Sequence, residues 1–535
     1  MPRLACLTLL TGGLLCALPH PAPAQTGGVA VPSRFAADPT RSTSQPALGA
    51  WWRTFGDATL DKLIADALAN NWDLIVAEAR VAEAMARRRA AAGELWPQIG
   101  GRAFAGRAQP SERSRSGTFS GGAATNEFFG TLTASWELDV FGRIRQGVRS
   151  AQAQAEADEE RRRDVLVILL AEVASTYLEL RGLQAEQTVV ADNIKSQEET
   201  AGLTRVRREA GVDNALAVAQ AEGQLAITKA TLPPLVQGIR ESKHRLATLT
   251  GQPPAAYLER LAASAPLPRG PARIPAGLPS ALLARRPDVR QAERLVAASA
   301  AQLGQARAAR LPSFALTAQT GQQSEEIGDL VERRANLWSF GASLTIPLFT
   351  GGTLRENVKA AEAVLTQVRA GYEQTMLLAL EEVETALVRH AESQKTLEAL
   401  REAETQARIT LTLSTDLYKN GAGSFLNVLE AQRSKLLAQA QSVASESQVA
   451  LNLVGLYKAL GGGWEAADAG TRGPAAGGKT PATAPGAATP ASHRDGGGRA
   501  VEKMTGERPP PQAGPGPSGS RTGTQSRRTA APSDS

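Results

Sequence analysis

Six side chains have the clearest capacity for metal or thiol chemistry: Cys6, Cys16, His20, His244, His390 and His493. A zinc or redox site needs several such groups at close, regular spacing. His244, His390 and His493 are scattered, and none has a neighbour at ligand spacing. Gly27-Gly28 and Gly351-Gly352 could cradle a phosphate, but no Lys-Ser/Thr pair follows either of them. Glu381, Glu382 and Glu384 could share a proton, yet they fall in a long helix-forming stretch where charged faces are ordinary. The expectation is a chain with no catalytic residues, no metal site and no cofactor.

Both cysteines precede a processing signal. Arg3 supplies the positive start, Leu4 to Leu18 a short apolar run, and Ala22-Pro23-Ala24 a small-x-small cleavage site before Gln25. The alternative is a lipidated Cys16, but Leu14-Leu15 stand where a small residue is needed. Cleavage after Ala24 is the favoured reading; it removes Cys6 and Cys16 and leaves no thiol for a disulfide.

The elements must therefore carry the function. Aromatic residues make up only 4% of the 535 residues, thin for a large globular core, while the abundant alanine suits long, closely packed helices. The net charge of +6 is spread along helix-forming stretches, which argues for solvated faces and against a nucleic-acid groove.

An internal repeat organises the chain. Leu68-Ala69, Asp73, Ala77-Glu78 and Pro97 recur 215 residues later as Leu283-Ala284, Asp288, Ala292-Glu293 and Pro312. Gly142, Arg145, Glu172, Gly211, Leu216 and Gly251 recur 210 residues later as Gly352, Arg355, Glu382, Gly421, Leu426 and Gly461. Each copy reads helix, strand, turn, strand and a long helical pair, with Pro97 and Pro312 marking the exit from helix. The stretches Gly142 to Gly251 and Gly352 to Gly461 are long enough for coiled-coil-like packing, and Pro233-Pro234 should break the first. The predicted divisions are a signal peptide (1–24), an extended N-terminal segment (25–56), a first repeat (57–251), a Pro-rich linker (252–280), a second repeat (281–464) and a disordered tail (465–535).

Beyond the signal segment no apolar run approaches the roughly 20 residues of a spanning helix, so any span must be β-barrel. From Thr131 to Val140, Leu132, Ala134, Trp136 and Leu138 alternate with polar residues. From Trp338 to Leu348, Trp338, Phe340, Ala342, Leu344 and Ile346 do the same. Ser313 to Thr320 alternates less strongly, and Ile99 to Gln109 is the weakest candidate. Period-two alternation fits a strand between lipid and water; a soluble sheet packed on helices would give the same pattern. Four strands cannot close a spanning barrel alone; two chains would supply eight, with an interior filled by side chains, and three would supply twelve, with room for a channel.

Four passages together resemble the TolC family of outer-membrane channels, in its OprM/NodT-type branch. They are Trp51-Trp52 with Phe55-Gly56-Asp57; Trp136 to Arg145; Arg285-Arg286-Pro287-Asp288-Val289; and Ile346-Pro347-Leu348-Phe349 with Gly351-Gly352. The resemblance spans roughly residues 51–464. It implies a mainly α, internally duplicated fold with a membrane β-barrel: a homotrimer whose twelve strands form one barrel, continued by a long periplasmic α-helical barrel. It implies a cell outer membrane location, with lipid against Leu132, Trp136, Leu138, Trp338, Phe340, Leu344 and Ile346. The implied partners are a periplasmic adaptor and an inner-membrane pump of RND type, with the chain a passive efflux duct and no enzyme.

The resemblance places the periplasmic tips at Gly211, Val212 and Leu216 and at Gly421, Ala422 and Leu426, with Asn214 and Ser424 as helix caps. It places a pore gate at Tyr418, Asn427 and Glu430, where Asn427 replaces a second acid and Gly423 replaces an arginine. Read without it, Tyr418 is a packed aromatic and Glu430 a solvated acid. The competing function is a periplasmic coiled-coil adaptor with no channel, which leaves the duplicated strands unexplained.

Overall fold

The computed structural model describes residues 31–37, 48–109 and 124–466. The predicted signal peptide, its Cys16 alternative and all of the predicted tail beyond Ala466 lie outside them. Two helices open the first repeat, α1 (Ala58–Asn70) and α2 (Trp72–Gly93). Strands β1 (Gln98–Ala108) and β2 (Thr125–Leu138) follow, then α3 (Arg143–Glu209), α4 (Ala215–Lys229) and α5 (Leu232–Leu249). The second repeat runs α6 (Pro279–Arg285), α7 (Pro287–Ala308), β3 (Ser313–Ser324), β4 (Asn336–Thr345), α8 (Thr353–Lys419) and α9 (Phe425–Ala459).

The duplication is geometric. Helices α2 and α7 have 22 residues each and stand 215 apart; α3 and α8 have 67 each and stand 210 apart. Three glycine pairs at the 210 spacing, Gly142/Gly352, Gly211/Gly421 and Gly251/Gly461, all have positive φ. Each bounds a helix where the chain must pass through the left-handed region, which glycine enters without a Cβ clash. At 1.5 Å per residue, α3 and α8 each extend about 100 Å. The copies differ where Pro233-Pro234 occupy the first turn of α5. Proline's missing N–H is tolerated there but not inside a helix, so α4 and α5 are separate while α9 is continuous.

The largest core lies where the N-terminal segment wraps the helices. Trp51 and Tyr457 stack with centroids 4.9 Å apart, with Phe55, Leu246 and Leu453 packed around them. Trp51–Phe55 forms a 3-10 turn, so the segment predicted as extended is helical at its end. The Tyr177 hydroxyl donates to Asp57 Oδ2 at 2.7 Å, and Asp57 also caps α1. Glu465, predicted to begin the tail, pairs with Arg285 at 2.6 Å, and Trp464 lies under the Arg163 guanidinium at 4.9 Å. Those residues belong to the folded body.

Further along the shaft the contacts between α3, α4 and α9 turn polar. Asn193 donates to Gln439 at 2.9 Å, Gln432 to Thr200 at 2.8 Å, and Arg433 to Gln224 at 2.6 Å. Polar partners at such positions fix helix register at some cost in stability. Among the described residues no helix is long and apolar enough to cross a membrane.

Candidate functional site: a two-faced sheet and two helical tips

The strands form one antiparallel sheet in the order β1-β2-β3-β4. Ladder partners share a face, so the register sorts the side chains. One row joins Gly101, Leu132, Thr320 and Trp338; the next joins Ile99, Ala134, Ala318 and Phe340. Phe314, Leu316, Trp136, Leu138, Ala342 and Leu344 continue this apolar face. The opposite face carries Gln98, Thr133, Ser135, Glu137, Thr317, Gln319, Ser339 and Ser343. Trp338 is 80% exposed and Phe340 72%. A soluble sheet would bury such a face on its helices; here it is open.

The strand bounds differ from the sequence reading. Strand β2 begins at Thr125, six residues before the predicted start, because adjacent Phe128 and Phe129 obscure the alternation. Val140 lies beyond its end. Strand β4 ends at Thr345, so Ile346 is exposed but outside the ladder, where Pro347 has no N–H to give. Trp136 shares the apolar face but is half-buried, its indole N–H donating to the Leu95 carbonyl at 2.9 Å. Leu138 is half-buried opposite Phe314.

At the far end of the long helices the two predicted tips have the same turn. Val212 N–H donates to the Arg207 carbonyl, and Ala422 N–H to that of Leu417, at 2.8 and 2.9 Å. Gly211 and Gly421 take the left-handed position that this helix ending requires. Asn214 and Ser424 then cap α4 and α9, accepting from Ala217 and Leu426 at 3.0 and 3.2 Å. Val212 and Leu216 are both 62% exposed and Leu426 57%, so each tip presents bare apolar side chains.

Tyr418 is buried, with Phe425, Val428 and Leu429 around it. It is a packed aromatic whose hydroxyl donates to Asp213. Arg207 reaches the same carboxylate at 3.0 Å and holds its guanidinium 4.6 Å from the Tyr418 ring centre. Burial, then the hydrogen bond to Asp213, pushes the Tyr418 phenol up to about 12. The three side chains join the end of α8 to the turn between α3 and α4. Asn427 and Glu430 lie on the exposed side of α9, opposite Val428 and Leu429. Tyr418 is therefore not brought onto one surface with them. The sequence alone places Asp213 in the first tip segment but gives neither Asp213 nor Arg207 a part in the gate. The available signal was an acid at one tip opposite a tyrosine at its twin, 205 residues away.

The chain matches the family described as outer membrane efflux protein over residues 63–252 and 278–462. It is 32% identical to nodulation protein T of Rhizobium leguminosarum bv. viciae, over 86% of this chain and 93% of that one. It is 33% identical to the pyoverdine export outer membrane protein OpmQ of Pseudomonas putida, over 87% and 98%. The solved structure of the outer-membrane channel OprN aligns with a TM-score of 0.77 at 33% identity, covering 83% of this chain and 99% of that one. Shared sequence, shared fold and a sheet with one bare apolar face agree: the chain belongs to the outer membrane efflux protein family and is an outer-membrane efflux channel.

Proposed function

We propose that three copies of the chain assemble into one passive duct that performs no chemistry. The observation carrying this is the four-stranded sheet, apolar on one face and polar on the other, whose edge strands β1 and β4 each have one edge unpaired among the described residues. Bare edges in a membrane must be paired, and pairing β4 with β1 of the next copy closes twelve strands. At about 4.8 Å per strand and a tilt near 40°, that barrel has a backbone diameter of about 24 Å. The helices α3 and α8, with α4, α5 and α9 packed along them, continue the wall for about 100 Å into the periplasm.

In this reading the Tyr418–Asp213–Arg207 cluster is a closing latch, while Asn427 and Glu430 line the narrow end. The tips at Gly211, Val212 and Leu216 and at Gly421, Ala422 and Leu426 dock a periplasmic adaptor, through which an inner-membrane pump of RND type drives export. OpmQ is named for pyoverdine export; for this chain the cargo class is small solutes.

Single cysteines placed along β4 test the reading. In intact membranes a water-soluble thiol reagent should label positions 339, 341 and 343 and spare 338, 340, 342 and 344. Equal labelling of both sets would mean a soluble sheet, as a periplasmic coiled-coil adaptor would have.

A further inference from the structure

One row on the polar face of the sheet breaks the pattern. Phe104 and Phe129 are direct cross-strand partners, their rings 5.4 Å apart and 25° from parallel. Arg102, two residues earlier on the same face, holds its guanidinium 5.7 Å from the Phe129 ring centre. The row of Arg102 runs through Thr131 and Gly321 to Leu337, so a third apolar side chain joins the same band. On the periplasmic side the next rows return to Thr133, Gln319 and Ser339, then Ser135 and Thr317. The pair lies four residues before the end of β1 and four after the start of β2, towards the outer loop.

Local geometry keeps the aromatic surface available. A Cβ at Gly106 would come within 2.6 Å of the Phe104 ring, so the glycine lets that ring lie along the strand. In the single chain Phe104 is 46% exposed. Phenylalanine facing a water-filled lumen gains nothing from lipid, and the Phe129 stack covers only one of its sides. An open ring face takes another flat ring by offset stacking. A guanidinium stacks on aromatics and offers forked donors to a carboxylate.

We propose that Arg102, Phe104 and Phe129, repeated three times around the barrel, form a belt that transiently holds solutes carrying both a flat aromatic ring and an acidic group. The inference rests on the trimeric-channel reading above. With a backbone diameter of about 24 Å and rings reaching about 6 Å inward from each side, the gap is about 12 Å. A drug-sized solute crossing that gap touches the belt. The belt is thus a specificity element in the duct wall, remote from the tip and from the adaptor.

The test uses the full-length channel in planar bilayers, with 2-naphthoate added on the outer-loop side. Cyclohexanecarboxylate serves as an acid without a ring and 2-naphthalenemethanol as a ring without an acid. In the unaltered channel 2-naphthoate should block at lower concentration than either. Phe104→Leu and Phe129→Leu should each weaken that block by about fivefold or more, the order found for single stacking contacts, at unchanged unit conductance. Arg102→Gln should weaken block by 2-naphthoate and leave that by 2-naphthalenemethanol unchanged. Equal block by 2-naphthoate and cyclohexanecarboxylate in the unaltered channel would overturn the belt, as would unchanged block in both leucine variants. Absence of any unitary current before a probe is added would overturn the channel reading itself.

Discussion

Replacing Tyr418 with phenylalanine removes one hydroxyl and leaves its surroundings in place. The ring keeps its packing on Phe425, Val428 and Leu429, and Arg207 keeps Asp213 at 3.0 Å. What is lost is a hydrogen bond to a charged acceptor whose side chain is only 13% exposed, beside an arginine only 18% exposed. Such bonds contribute about 1.5–3 kcal/mol net. Because Arg207 partly compensates Asp213, the low end applies, about 1.5 kcal/mol or roughly tenfold per chain. If the three chains open together, the closed state loses about 4.5 kcal/mol, a shift of over a thousandfold. Single-channel recording of Tyr418→Phe should therefore show open probability rising at least tenfold at unchanged unit conductance. The sign with pH follows from the raised phenol. Its contribution to the closed form is fully present below the ordinary tyrosine value of 10.0 and lost as pH rises through about 12. Between pH 6 and 9, titration of this hydroxyl should not open the channel. An assembled Tyr418→Phe trimer with unaltered open probability would refute the latch.

If Glu430 lines the narrow end as proposed, three carboxylates near a threefold axis, roughly 6 Å apart at an effective dielectric near 40, repel by about 1.4 kcal/mol per pair. Glu430→Gln should weaken block by multivalent cations and shift the reversal potential away from cations; identical recordings would place Glu430 off the pore. Burial, then the Asp288 carboxylate, pushes Asp164 up to about 6 against the pull of Arg286 and Lys458. Its stabilising contribution is thus present below about 4 and lost as pH rises through about 6. Asp164→Asn should flatten the fall in trimer stability between pH 4 and pH 8, by an amount on the order of 2–3 kcal/mol per chain. An alanine at Gly251 would put Cβ 2.2 Å from the Asn70 carbonyl oxygen at φ +68°, whereas Gly211 at φ +77° has open space. Gly211→Ala should cost about 1–2 kcal/mol; Gly251→Ala should cost clearly more and lower trimer yield, read by denaturation and by unboiled gels.

The parts of the fold legible in the sequence are those set by local chemistry. Paired glycines and prolines marked the helix ends, because positive φ and a missing N–H restrict which residues fit. Long runs of helix formers marked α3 and α8. Strand β1 was the faintest because Gly100, Gly101, Ala103 and Ala105 give almost no alternation; its place comes from the ladder to β2. The helix-ending glycines Gly211 and Gly421 and the caps Asn214 and Ser424 were readable from residue type and repeat spacing; the tips at Val212, Leu216 and Leu426 came from the family resemblance. The partners of Tyr418 were not. Asp213 and Arg207 meet it only because two helical hairpins about 200 residues apart in the chain converge, and no periodicity within either hairpin records that meeting. The Phe104–Phe129 pair escaped for the same reason, since cross-strand register decides which face each ring occupies.

A continuous water path through three copies of this chain would carry ionic current, and that current is the most direct measurement. Purified, unboiled trimer added to a planar bilayer should give discrete current steps of uniform size, and Tyr418→Phe should prolong the open level without changing the step. A preparation that remains monomeric, or trimers whose Tyr418→Phe form gives no steps at all, would contradict the account.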